Sequence, residues 1–270
     1  MKDLALSRRA LITTASAMVV SGIVNRSFGN EDAAARGLAL ARAADSYANG
    51  FGNLSAELRM ILRDKQGQES VREMRTRSLE VPGDGDKSVV LFDLPRDISG
   101  TALLTFTHRT DSDDQWLYLP ALKRVKRIAS DNKSGPFMGS EFSYEDIASP
   151  EVDKYSHLWL REENYGGQVC GVLEQRPVDS KSGYQRRLIW IDKTEYRPLK
   201  VEFFDRQNQH AKTLIPADYR KYLVHQWRPM SLTMTNHITG KSTKLEFQNY
   251  KFNAGLTERD FDRKSLERAS

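Results

Sequence analysis

The stretch that decides the fold is residues 114–147, DQWLYLPALKRVKRIASDNKSGPFMGSEFSYEDI. It opens on an aromatic run, WLYL, that favours a half-buried strand, and Pro120 ends that strand. After a basic run and a turn-rich stretch, residues 137–147 hold five large apolar or aromatic side chains in eleven positions. A segment this rich in aromatic residues is expected to fill a concave apolar surface. We therefore predict a strand followed by a plug made of loop and short helix.

Short apolar and alternating runs on both sides of this stretch predict a meandering antiparallel sheet. A large sheet must curl because its strands twist, and its concave face must then be covered. Besides the plug, the available cover is an alanine-rich helix with helical apolar spacing, predicted at 32–47 and followed by Gly50 and Gly52. The expected fold is mainly β, an open half-barrel of about eleven strands with this N-terminal helix and the plug over its concave face. The candidate strands are 54–65, 70–81, 87–94, 101–107, 116–119, 156–163, 168–177, 184–192, 198–205, 211–224, 227–238 and 241–252.

The first 29 residues have the pattern of a signal peptide. Paired arginines, Arg8 and Arg9, precede a weakly apolar run of about 15 residues, and Ser27 and Gly29 suit the −3 and −1 positions of a cleavage site. The run is too short to span a bilayer, which takes about 20 residues. The arginines resemble a twin-arginine signal, although an ordinary secretory leader with two chance arginines fits as well. We predict a signal peptide at 1–29, a single domain at 30–270 and a periplasmic product without stable membrane insertion.

The charge and cysteine content argue against a nucleic-acid partner and exclude an intrachain disulfide. Beyond residue 29 the chain carries 37 basic and 35 acidic residues, a balance too close to neutral to indicate a nucleic-acid partner. Cys170 is the only cysteine, so no intrachain disulfide can form, and its strand-like setting predicts a small buried hydrophobic residue.

Motifs for catalysis and metal binding are missing from the sequence. The five histidines are scattered, and no Gly-x-Ser-x-Gly elbow occurs. Gly240-Lys241-Ser242 resembles the end of a phosphate-binding loop, but Thr235 stands where the first glycine is required. We therefore predict no enzyme activity, no cofactor and no metal site.

The order of motifs in 114–147 resembles one known family. An aspartate, one residue, Trp-Leu-Tyr-Leu-Pro-Ala-Leu, a basic run and then Phe-Met-Gly-Ser-x-Phe-Ser-Tyr-Glu-Asp is similar to the outer membrane lipoprotein-sorting proteins, which are LolA-like periplasmic proteins. The resemblance extends over about residues 33–266. It implies the same half-barrel, with lipoprotein acyl chains as cargo. Because such relatives are often encoded beside efflux-type exporters, it also implies other lipids as cargo and an inner-membrane exporter as a partner.

The leading functional expectation is a periplasmic carrier that binds lipid or lipoprotein acyl chains in an apolar chamber and moves them between a membrane-associated donor and acceptor. The plug and the N-terminal helix would close the empty chamber and be displaced on loading. The alternative is a periplasmic sensor or accessory subunit that docks on a membrane exporter or signalling protein.

Large apolar residues of the strands and plug are the expected chamber and lid residues. For each of them, the competing interpretation is that it belongs to the structural core and binds no ligand. They are Trp116, Tyr118, Phe137, Met138, Phe142, Tyr144, Leu188, Trp190, Val201, Phe203, Met234 and Phe247. The basic run is either a solvated strand face or a contact to an acidic partner or lipid phosphate; it comprises Lys123, Arg124, Lys126 and Arg127.

Overall fold

The computed structural model describes residues 21–266 of the chain. Residues 1–20, which hold most of the predicted signal peptide, lie outside this range. The first element is helix α1 (Ser21–Ala48), which contains the predicted helix and is longer at its N-terminal end. No helix in the described range has both the length and the apolar character needed to cross a membrane.

The remaining elements are strands and very short helices. The helices are α2 (Tyr144–Ile147) and α3 (Arg263–Leu266), with single 3₁₀ turns at Pro120–Leu122, Ser130–Asn132, Phe137–Gly139, Val152–Lys154 and Glu258–Phe261. The strands are β1 (Asn53–Arg63), β2 (Glu69–Leu79), β3 (Lys87–Leu94), β4 (Ala102–Phe106), β5 (Asp114–Leu119), β6 (Arg124–Arg127), β7 (Tyr155–Tyr165), β8 (Gln168–Pro177), β9 (Tyr184–Asp192), β10 (Pro198–Asp205), β11 (His210–Ala217), β12 (Arg220–Tyr222), β13 (Gln226–Arg228), β14 (Ser231–Asn236) and β15 (Ser242–Phe252).

Thirteen of these strands form one antiparallel sheet in the order β6-β5-β4-β3-β2-β1-β15-β14-β11-β10-β9-β8-β7. The first meander, β1–β6, joins the second through the β1–β15 pair, and β6 and β7 are the two free edges, so the sheet does not close. This confirms the mainly β, open architecture. The estimate of about eleven strands was low: each of the twelve candidate stretches contributes a strand to this sheet, and the basic run adds β6 on one edge.

Two predicted strands were too long. The stretch 211–224 leaves the sheet after β11, where Asp218 adopts a left-handed backbone with φ of 55°. The stretch 227–238 rejoins the sheet only at β14. Between these points the chain forms a separate two-stranded hairpin, β12–β13, which stands off the main sheet.

The largest core lies on the concave face and includes both predicted covers. In the plug, Phe137 and Phe142 are buried, and the Phe137 ring lies 5.7 Å from the rings of Phe92 and Tyr144. Two smaller apolar clusters lie elsewhere on the sheet: one joins β4 and β5 to the C-terminal segment, and the other joins β8 to β9.

Helix α1 lies mainly against the edge strand β7. The backbones come so close that a Cβ atom added at Gly37 would lie 2.7 Å from the backbone nitrogen of Trp159. The guanidinium of Arg36 sits 3.7 Å above the Trp159 ring, and Leu40 and Ala41 are buried apolar residues of the helix. Glycine at position 37 is therefore what allows the helix to approach the edge of the sheet this closely.

Candidate functional site

A cavity of about 690 Å³ lies between α1, the segment that follows the plug, and the sheet. Its walls come from α1, residues 142–155, strands β8–β11 and β14, and the β12–β13 hairpin. The sheet contributes mostly aliphatic and aromatic side chains: Ile189, Ile191, Val201, Phe203, Leu214, Leu232 and Met234. The middle of the helix contributes small residues, Ala41 and Ala44, whose side chains do not fill the space beneath it, and Asp45 and Tyr47 line the cavity nearer the C-terminal end of the helix.

Aromatic rings lie where the C-terminal end of α1 meets the hairpin. The Tyr47 ring is 4.6 Å from Tyr196 and 5.5 Å from His225, measured between centroids. The side-chain nitrogen of Gln226 donates to the Asn49 carbonyl at 2.8 Å, which ties the hairpin to the end of the helix. One end of the cavity is thus bounded by two elements that contact each other through few groups.

Three carboxylates border the cavity: Asp45 of α1, Asp86 before β3 and Glu151 after the plug. Burial raises the pKa of Asp86 to about 6 and that of Glu151 to about 7, and burial also raises the pKa of Asp45. The charges of Asp86 and Asp45 raise the pKa of Glu151 further, and the charge of Asp45 also raises the pKa of Asp86. The Ser149 hydroxyl donates to Asp86 at 3.0 Å and offsets part of the effect. The cavity therefore has an apolar wall and an acidic border.

Four of the predicted chamber residues line the cavity: Phe142, Val201, Phe203 and Met234. Four more belong to the same concave core but lie outside the cavity wall: Phe137, Met138, Tyr144 and Phe247.

The other four predicted chamber residues lie in different apolar clusters. Trp116 and Tyr118 pack with the C-terminal segment, and Leu188 and Trp190 pack with residues of β8. Strand alternation explains this placement, because Leu117 and Ile189 take the concave positions and their neighbours point to the opposite face. These four residues lie outside the cavity wall, which corrects their placement in the predicted chamber.

Several cavity residues were not predicted. Ile189 and Ile191 share a face of β9, and the alternation of that strand could have identified them. His225 and Trp227 reach the cavity only because the hairpin folds back toward α1, and no local pattern indicates that fold.

The plug is held by hydrogen bonds from several strands. Lys212 donates to the Glu141 carbonyl at 2.8 Å, and the Asn236 amide donates to the Glu141 carboxylate at 2.6 Å. The Tyr184 hydroxyl donates to Asp146 at 2.9 Å. On the other half of the sheet, Arg72 donates to the Met138 carbonyl. These bonds join the plug to both halves of the sheet across the concave face.

The predicted basic contact lies on β6, at a free edge of the sheet and outside the cavity wall. All four basic side chains are exposed, and Arg127 pairs with Asp114. Lys123 has a left-handed backbone, with φ of 48°, where the preceding 3₁₀ turn ends. The run is thus a solvated strand edge, and its role as a contact stays a prediction.

Comparison with known proteins places this geometry in a family. A model for a family described as uncharacterized proteins matches residues 84–268, which is more than half of the chain. No curated protein matches the chain by sequence. A solved domain from Vibrio parahaemolyticus, named for outer membrane lipoprotein sorting, is 52% identical, with a TM-score of 0.85 over 87% of this chain and 99% of that one.

Two more distant structures have the same architecture. A DUF1329 family protein from Desulfovibrio piger is 28% identical with a TM-score of 0.82, over 87% of this chain and 99% of that one. A LolA superfamily protein from Nitrosomonas europaea is 20% identical with a TM-score of 0.69, over 85% of this chain and 98% of that one, and shows the shared fold. The chain therefore belongs to the outer membrane lipoprotein-sorting family with the LolA-like fold.

Proposed function

We propose that this protein is a periplasmic carrier that holds lipid or lipoprotein acyl chains in the cavity beneath α1 and passes them between a membrane-associated donor and acceptor. The observation that carries the proposal is the apolar cavity of about 690 Å³ between the helix and the sheet. Ligand pockets usually have volumes of roughly 300–1,000 Å³ and mostly apolar walls. The export route would be the signal peptide at 1–29.

The energy of burial suits an acyl chain. Each methylene removed from water contributes about 0.8 kcal/mol, so a chain of about 16 carbons gains on the order of 13 kcal/mol when fully buried. A carrier that binds so strongly must also release its cargo. Release requires a cover that closes over the empty cavity and can be displaced.

Helix α1 is the better candidate for this cover. Its described side chains bury only Leu40 and Ala41 fully, and its C-terminal end is held by two hydrogen bonds from the hairpin: Gln226 donates to the Asn49 carbonyl, and Arg228 donates to the Ala48 carbonyl at 3.1 Å. The plug has bonds to both halves of the sheet, and breaking them would leave partly buried charges unpaired. We therefore assign the movement to α1 and a bracing role to the plug.

Two matched leucine variants test the proposal. Leu214 lines the cavity, whereas Leu188 packs in the separate cluster of β8 and β9, and both side chains are half-buried. Leu214→Trp fills cavity space and should lower the amount of co-purifying lipid at least about tenfold, which corresponds to about 1.4 kcal/mol. Leu188→Trp should leave it unchanged. Lipid is measured by extraction and mass spectrometry of protein purified from its native periplasm.

The same preparation separates the carrier from the alternative. Lipid at about one acyl-bearing molecule per protein, lost in Leu214→Trp alone, is the expected result. A stoichiometric protein partner without lipid would favour the sensor or accessory-subunit function. Equal lipid content in both variants would contradict the assignment of the cavity as the binding site.

A further inference from the structure

We propose that the turn of the β12–β13 hairpin is a membrane-docking tip that inserts into an anionic lipid surface and brings the cavity to it. This inference rests on the proposed carrier function. Leu223 and Val224 form the turn together with His225, and the two aliphatic side chains are 48% and 72% exposed. Two adjacent aliphatic side chains with this exposure at the end of a hairpin can be buried together in an apolar environment.

The turn lacks the residues that hairpin turns prefer. Positive φ angles in such turns are usually occupied by glycine or asparagine. Here Leu223 has φ of 45°, a conformation that a branched leucine side chain adopts at a cost. The position thus retains an exposed aliphatic side chain against the backbone preference, which indicates that the side chain itself has a use.

The surroundings of the tip are basic. Residues 219–230 contain two arginines, one lysine and one histidine, and no acidic residue. Arg220 and Lys221 are exposed on the strand that leads to the turn. Glu195 approaches from a neighbouring turn, 3.9 Å from Lys221, and accepts a hydrogen bond from the Trp227 indole at 2.8 Å. An apolar tip flanked by cationic side chains is complementary to a bilayer with anionic headgroups.

The size of the patch favours a bilayer over a protein. A stable protein interface buries about 800 Å² on each partner, whereas this tip presents two aliphatic side chains. Tyr222 and Trp227 lie just behind the tip and are half-buried, at a depth suited to the headgroup region. His225 of the turn and Trp227 of β13 also line the cavity, so a docked tip would put the lipid site next to the membrane.

Vesicle sedimentation with the purified protein tests this proposal. Vesicles of phosphatidylethanolamine and phosphatidylglycerol should bind the protein, and phosphatidylcholine vesicles should bind it at least about tenfold more weakly. The double substitution Leu223→Asp with Val224→Asp should weaken binding to the anionic vesicles at least about tenfold. The matched control is Ile238→Asp, because Ile238 is 62% exposed in a turn at the opposite end of β14. This control should bind like the unmodified protein.

A labelled cysteine reports insertion directly. Cys170 is the only cysteine and is buried, so Val224→Cys offers one accessible thiol for an environment-sensitive dye. Anionic vesicles should shift its emission to the blue, and dye on Ile238→Cys should show no shift. Absence of vesicle binding, equal loss in the control, or no shift at position 224 would overturn the docking tip. The lipid content of the double variant is measured separately, so failure of docking and failure of the carrier function are distinguished.

Discussion

Neutralising Asp86 should stabilise the protein at high pH. Burial raises the pKa of this carboxyl from 3.8 to about 6, and the charges of Glu80 and Asp45 add to the effect. The folded protein therefore holds a proton on Asp86 at pH values where the unfolded chain has lost it. By linkage, the free energy of unfolding falls as the pH rises from about 4 to about 6. Above about pH 6 the decrease in unfolding free energy is complete and stays constant.

The magnitude follows from the size of the shift. Each pKa unit corresponds to 1.36 kcal/mol, so a shift of about two units costs on the order of 3 kcal/mol at pH 8. Asn in place of Asp86 removes the buried charge and can still accept the hydrogen bond of the Ser149 hydroxyl. Asp86→Asn should thus gain about 2–3 kcal/mol of unfolding free energy at pH 8 and almost nothing at pH 4.

Urea denaturation at pH 4 and pH 8 measures this change in unfolding free energy. Asp84 is the control, because its pKa is shifted in the opposite direction. Its carboxylate accepts hydrogen bonds from the Arg109 backbone and the His108 ring, which lower its pKa to about 2. Asp84→Asn should destabilise the protein at pH 8. A neutral or destabilising effect of Asp86→Asn at pH 8 would refute the assignment of a buried, unbalanced charge at the cavity border.

Three further substitutions test the packing around the site. Gly37→Ala would place a Cβ atom 2.7 Å from the Trp159 backbone, so we expect a loss of about 1–3 kcal/mol and faster amide hydrogen exchange in α1. Asp192→Ala removes the fully buried partner of Arg197, whose nitrogens donate at 2.6 and 3.0 Å, and should cost about 3–5 kcal/mol in chemical denaturation at pH 7. Phe142→Ala should cost about 3–5 kcal/mol, because this plug residue is 2% exposed, and an unchanged denaturation midpoint would show that the plug is not part of the core.

The sequence predicts the sheet well because strand patterns are local. Ten of the twelve predicted strands agree with the structure to within two residues at both ends, and 87–94, 168–177, 184–192 and 198–205 agree at every residue. The failures lie where a strand leaves the sheet: Asp218 begins such a departure, and nothing in its neighbours excludes a continuous strand. The concave position of the plug could also be predicted, since its aromatic residues needed a cover and the curled sheet provides one.

The face of each strand was harder to predict than its position. The run WLYL offers apolar residues on both faces of β5, and the pattern alone does not say which face is concave. Trp116 and Tyr118 are covered by Phe261 and Leu266 of the C-terminal segment. That segment has no apolar periodicity from which its position could be predicted. With a second cover present, aromatic residues on the convex side are as well buried as those on the concave side. The cavity wall could therefore be predicted only in part.

The composition of the two covers, α1 and the plug, supports the different roles proposed for them: α1 moves and the plug stays in place. The plug holds large aromatic residues and polar groups bonded to both halves of the sheet, so lifting it would expose much apolar surface and break bonds at several places. On the cavity side of α1, Ala41 and Ala44 bury little surface, and the larger Tyr47 lies at the end of the helix that meets the hairpin. Glycine at position 37 lets the helix lie close to β7. Leucines at the positions of Ala41 and Ala44 would occupy part of the cavity and bind the helix more firmly to the sheet. In the proposed carrier, small residues on α1 would thus provide both the space for an acyl chain and a cover that can move.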